Sequence, residues 1–108
     1  MTITMSSASL EYVQAPVIAT VGGSPFNPTG DPVQFAFLTG TAAPTGPDWK
    51  AGSWDGTQPR PTGNAYLAQC LVGPGGTVTL APGTYTMWIK ITDSPEVPVI
   101  PVGLLTIT

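Results

Sequence analysis

The sequence predicts an all-β domain, a β-sandwich or barrel of about seven strands, on the strength of three features. The run Gly83-Thr-Tyr-Thr-Met-Trp-Ile-Lys-Ile-Thr-Asp93 alternates Tyr85, Met87, Ile89 and Ile91 with Thr84, Thr86, Trp88, Lys90 and Thr92. Successive side chains leave a strand on opposite faces, so this period of two marks a half-buried strand. Thirteen Gly and thirteen Pro stand as turn punctuation between apolar runs rich in β-branched and aromatic residues. No stretch combines a helical period with a cap.

Residues 1–9 are expected to be a flexible N-terminal arm, with the single sandwich domain spanning residues 10–108. Leu10 to Gln14 and Pro16 to Val21 read as strands, or as one strand bulged at Pro16. Phe26-Asn-Pro-Thr-Gly-Asp-Pro32 reads as a rigid loop, because its prolines fix φ. Pro32 to Leu38 follows as a strand with Val33, Phe35 and Phe37 on one face. The segment from Thr39 to Thr62 has strand character only around Trp49 to Trp54. Ala65 to Val72 is apolar on both faces, as a central strand is. Pro74-Gly75-Gly76 and Pro82-Gly83 are tight turns that enclose a short strand, Thr77 to Leu80, with Val78 and Leu80 inward. Tyr85 stands where sandwich domains place a tyrosine whose hydroxyl bonds back to the preceding corner. The prolines of Val97-Pro-Val-Ile-Pro101 cannot donate ladder bonds, so this piece is an edge or crossing strand that leads into the closing strand Val102 to Thr108.

A chain of 108 residues holds one hydrophobic core. Only 8% of its residues are charged, against roughly 25% in an average domain. Three bases (Lys50, Arg60, Lys90) face six acids, for a net charge of −3. No basic patch can be built from them, which argues against nucleic acid and against an anionic membrane as partners. A folded chain of this mass exposes about 5,700 Å², or roughly 600 Å² per charge, near the size of the largest apolar patches on ordinary monomers. A surface so neutral and Thr-rich suits a protein that is covered by partners in an assembly.

Cys70 is the lone cysteine, so no intrachain disulfide can form, and its apolar strand context predicts a buried, inert thiol. The missing disulfides point to synthesis in a cytosol. The start of the chain has neither the basic nor the apolar region of a signal peptide. No apolar run approaches the roughly 18 residues of a spanning helix.

The chain has no His, hence no Ser–His or Cys–His pair. Asp48 and Asp55 flank Trp49 and Trp54 and read as solvated loop acids more readily than as a glycosidase pair. Asp31, Asp93 and Glu96 lack the dense oxygen spacing of a calcium loop. No catalytic residue, metal or cofactor is expected. The candidate interface residues are Trp49, Trp54, Arg60, Trp88 and Lys90. Trp49 and Trp54, with Arg60 nearby, suit a protein hot spot or a stacking platform for sugar; the plainer alternative makes one Trp a plug for the core and lays the other across the loop. Trp88 and Lys90 form a contact surface if their face looks outward, and Trp88 belongs to the core if the strand is covered on both sides.

From Leu71 to Val99 the chain resembles small virion proteins of tailed bacteriophages, in particular those of actinobacterial hosts. The shared pattern is a short strand ending in L-x-P-G-x-Y, a W-I-K-I-x-D-x-P-E-x-P-V edge and a closing G-x-L-x-I strand; Met5 to Val21 and the Trp49/Trp54 loop fit the same type. The resemblance implies an immunoglobulin-like sandwich made in the host cytoplasm and built in symmetric copies into a virion. There it would be an accessory or decoration component of the head or head–tail region, with other virion proteins as partners. It transfers no catalytic residue. A tail or baseplate component and a stand-alone carbohydrate-binding module are the alternatives.

Overall fold

The computed structural model describes residues 2–21, 24–56, 65–93 and 97–108. It is all-β, with two sheets packed face to face. The strands are β1 (Thr2–Met5), β2 (Glu11–Val17), β3 (Ala19–Val21), β4 (Ser24–Phe26), β5 (Val33–Leu38), β6 (Lys50–Ala51), β7 (Ser53–Trp54), β8 (Tyr66–Val72), β9 (Gly83–Ile91) and β10 (Val99–Ile107). One sheet has the order β1-β10-β9-β5-β6 and the other β2-β8-β7, while β3 and β4 form a separate small hairpin.

The alternation of β9 decides which face is buried. Met87 and Ile89 are fully buried and Ile91 nearly so, and the inward residues of their neighbours, Val33, Phe35, Leu105 and Ile107, join them. The three-stranded sheet supplies Val13, Ala15, Val17, Ala68, Cys70 and Val72 to the same core. Each large side chain so buried contributes about 1.5–3 kcal/mol. A slip of one residue would turn all of them to solvent, so this burial also specifies the register.

The N-terminal segment departs from expectation. Residues Thr2–Met5, expected as an arm outside the domain, pair in parallel with β10, Thr2 opposite Leu104 and Met5 opposite Ile107. Met5 is buried and Ile3 packs on the core, so two apolar side chains at strand spacing suffice to recruit the segment. The chain then crosses to the other sheet. Ser7 N–H donates to the Thr108 carbonyl at 2.9 Å, and Ser9 N–H to that of Ser6 at 3.0 Å.

Two glycines make the crossings between sheets possible. Gly52 separates β6, in the first sheet, from β7, in the second, and a Cβ there would sit 2.8 Å from Cδ1 of Phe35. Gly73 ends β8 with φ +133°, and a Cβ would fall 2.1 Å from the Ser9 carbonyl oxygen on the crossing segment. The described residues of the long Thr39–Thr62 segment thus contribute two two-residue strands, each in a different sheet. Thr77 to Leu80 forms no full strand: Val78 makes a single parallel bridge to Val72, because the N–H groups of Thr77 and Val78 both turn to the Leu71 carbonyl. Val78 and Leu80 still pack against the core, as their alternation predicts.

Other expectations match. β8 is the centre of its sheet. Pro28–Gly30 is a 3-10 turn capped by Asn27, whose Oδ1 accepts from Thr29 N at 3.0 Å. The Tyr85 hydroxyl donates to the Ala81 carbonyl at 2.7 Å, closing the corner before β9. β10 begins at Val99 and runs through Pro101 with an irregularity between Pro101 and Gly103. Because β1 reaches only Leu104 to Ile107, no described strand pairs with the far side of Val99–Pro101, where a proline loses nothing. No helix among the described residues is long and apolar enough to cross a membrane.

Gly73→Ala is expected to lower stability by more than 2 kcal/mol, because positive φ and a backbone clash coincide there. Gly75→Ala, with φ +80° but open space around the new methyl, should cost only about 1 kcal/mol. Chemical denaturation of the two variants checks the order, and equal costs would contradict the packing at Gly73.

Candidate interaction face

The outward side of the five-stranded sheet is built from the residues that β9 does not bury. Register places them in rows. Lys90 lies between Gln34 and Val99, Trp88 between Ala36 and Pro101, Thr86 between Leu38 and Leu104, and Thr84 beside Thr106. Thr4 of β1 continues the last row, and the Thr84 and Thr106 hydroxyls are 3.3 Å apart.

Aromatic side chains roof the middle of this face. Ala36 points outward yet is fully buried, with Trp88 as its register partner. Trp49 enters from the β6 side, and Lys90 Nζ stands 4.7 Å from its ring centroid. Such a cation–π contact contributes about 0.5–1 kcal/mol where solvent reaches it. Trp88 is half-buried, and its indole N–H is buried without an acceptor among the described residues. An unpaired donor of this kind costs about 1–3 kcal/mol, which the packing of the ring must offset. Val97, Val99, Ile100 and Leu104 remain exposed on this face and on the open end of β10 beside it.

The five candidate residues therefore do not form one site. Trp49, Trp88 and Lys90 come together on the outward face. Trp54 does not join them, because the chain changes sheets at Gly52: it lies in β7, packs partly against the core, and its N–H donates to the Asp31 carbonyl at 2.9 Å. That bond ties the three-stranded sheet to the turn before β5, so Trp54 is the core plug and a paired Trp49/Trp54 platform does not form. Arg60 and Glu96 lie outside the described residues.

One polar cluster escaped the sequence reading. On the outward side of the other sheet, Gln14 Nε2 donates to Asp55 Oδ2 at 3.1 Å and to Gln69 Oε1 at 3.0 Å, and Gln69 Nε2 reaches Ser53 Oγ at 3.4 Å. The only hint was a Gln at an outward position in each of two apolar strands. Their pairing is a long-range fact. Asp48 accepts from the N–H and hydroxyl of Thr45, as a loop acid holding its own turn. Among the described residues no group of three or more His, Cys, Asp or Glu is placed to hold a metal ion.

Cys70 sits in the core at 1% exposure, with its thiol 3.6 Å from the Ala51 carbonyl. Burial pushes its pKa up to about 11 from the ordinary 9.0. Comparison with protein-family models, with curated proteins and with solved structures finds no match for this chain.

Two outcomes follow for the thiol. At about pH 8 a disulfide reagent should leave Cys70 unmodified in the folded protein and react fully after denaturation. Above pH 9.0 the unfolded chain loses its thiol proton while the folded chain keeps it, so stability should fall as pH rises towards about 11. A Cys70→Ala variant should lack that part of the decline. Rapid labelling without unfolding would contradict the burial.

Proposed function

We propose that this chain is a non-catalytic building block that works by protein–protein assembly, as a small accessory component of a tailed-phage virion at the head or head–tail region. The observation that carries the assembly reading is the outward face of the five-stranded sheet. There Trp49 and Trp88 share the face with Lys90, which is already engaged by the Trp49 indole, and exposed Val99 and Leu104 flank them. Aromatic residues at the centre, few free charges and a rim of Thr hydroxyls are the make-up of a protein contact.

The strand order supports the immunoglobulin-like form of the sandwich. β10-β9-β5-β6 opposite β2-β8-β7 follows the G-F-C-C′ over B-E-D arrangement, and the Tyr85 corner lies at the start of the strand in the F position. The virion setting rests on the motif resemblance of residues 71–99. Synthesis in the host cytoplasm and symmetric, multi-copy docking on capsid, neck or tail proteins belong to the same proposal.

Mass spectrometry of purified particles, with copy-number estimation, tests the setting; absence of the chain from the particle would sink it. Particles lacking the chain test the face. Wild-type protein should rebind them, and Leu104→Lys should weaken rebinding at least tenfold with an unchanged melting temperature. Leu104 is 43% exposed, so the substitution leaves the core intact. Undiminished rebinding would rule out this face as the docking surface.

A further inference from the structure

We infer that β2 is a strand-addition edge that pairs with β2 of a second copy of this chain, antiparallel about a twofold axis. This pairing stands apart from the docking face of the five-stranded sheet and does not depend on the virion setting.

The edges of the two sheets are unequal. Among the described strands, β1 has four residues and β6 and β7 have two each, short as protected edges are. β2 has seven, and no described strand lies on its outer side. The segment that could have covered it, β1, joins the other sheet. Three of the large apolar side chains left in solvent cluster along this edge: Leu10 at 50%, Tyr12 at 55% and Ile18 at 68% exposure.

Backbone direction along β2 follows from its partner. The Leu67 carbonyl accepts from Asp55 N–H at 2.8 Å and the Leu71 carbonyl from Thr77 N–H at 2.9 Å, so both turn away from β2. Main-chain groups of successive residues point to opposite sides of a strand, which aims Tyr66, Ala68, Cys70 and Val72 at β2. Their register partners Val17, Ala15, Val13 and Glu11 complete that ladder. The N–H and C=O of Tyr12 and Gln14, and the C=O of Pro16, therefore face the open edge. Pro16 sits where its missing N–H costs the β8 ladder nothing.

That phase fits a copy of itself. With Val13 on the twofold axis, Tyr12 lies opposite Gln14 of the second copy and Gln14 opposite its Tyr12. Each pair exchanges two N–H···O bonds, and no proline falls within the four. Pro16 meets the second copy's Leu10, two apolar surfaces now in solvent. A shift that centres the axis nearer Pro16 removes donors from the ladder, so proline selects the register. Charge agrees: Glu11 is the only ionised group on β2, and antiparallel pairing holds the two carboxylates about 13 Å apart along the strands, beyond the screening length of roughly 8 Å at physiological salt. An in-register parallel pairing would place them side by side. The contact is isologous and closed, giving a continuous β7-β8-β2-β2-β8-β7 sheet and no open chain of copies.

Sedimentation equilibrium of the full chain over a concentration series tests this pairing. Wild type should reach a dimer mass. Tyr12→Pro removes an outward N–H in the same phase as Pro16, so it should stay folded and remain monomeric. Tyr12→Lys places two cations across the axis at an exposed position and should raise the dimer dissociation constant at least tenfold, so it decides the matter if Tyr12→Pro disturbs folding. Leu104→Lys, on the other sheet, should dimerise as wild type does. A wild type that is monomeric throughout, a dimer untouched by folded Tyr12 variants, or one abolished by Leu104→Lys alone would each overturn the inference.

Discussion

Phe35, Met87, Ile89 and Leu105 of the five-stranded sheet and Val13, Cys70 and Val72 of the three-stranded sheet are buried together in one core, and the rest of the structure depends on that shared burial. In a strand, choosing which residues face inward also chooses which face out. Once Met87 and Ile89 are inside, Trp88 and Lys90 must lie on the outward side. Once Val13 and Ala15 are inside, Tyr12, Gln14 and Pro16 must point away from the core. Both surfaces proposed for contact are the complement of the same buried set.

Gly52 and Gly73 let the chain change sheets without opening that core. At Gly52 the missing Cβ makes room for the Phe35 ring; at Gly73 it lets the crossing segment from β1 to β2 lie against the end of β8. Trp54 then closes one end of the sandwich through its bond to the Asp31 carbonyl. Few charges take part in this construction. The chain is held by apolar burial and by backbone ladders, and its polar side chains mostly fasten turns, as Asn27, Asp48 and Tyr85 do.

Much of this was legible in the amino-acid order because period two and turn chemistry are local signals. The inward set of β9, the faces of β5, the central position of β8 and the Tyr85 corner could all be read from neighbouring residues. What could not be read was long-range. Ile3 and Met5 alternate with Thr2 and Thr4, but four residues carry too weak a pattern to announce a parallel partner a hundred residues away. Trp49 and Trp54 look like a pair at five residues apart. Only the change of sheet at Gly52 separates them, placing one over Lys90 and the other in the core. The Gln14–Gln69 bond likewise depends on a register that no local window contains.

The division of β9 into a buried and an outward face is the claim from which the others follow, and a cysteine scan from Thr84 to Ile91 in a Cys70→Ala background measures it directly. Labelling rates of the folded protein should alternate, with thiols at 84, 86 and 90 reactive, those at 87, 89 and 91 protected, and the one at 88 intermediate. Rates without that period, or with the two sets exchanged, would contradict the account.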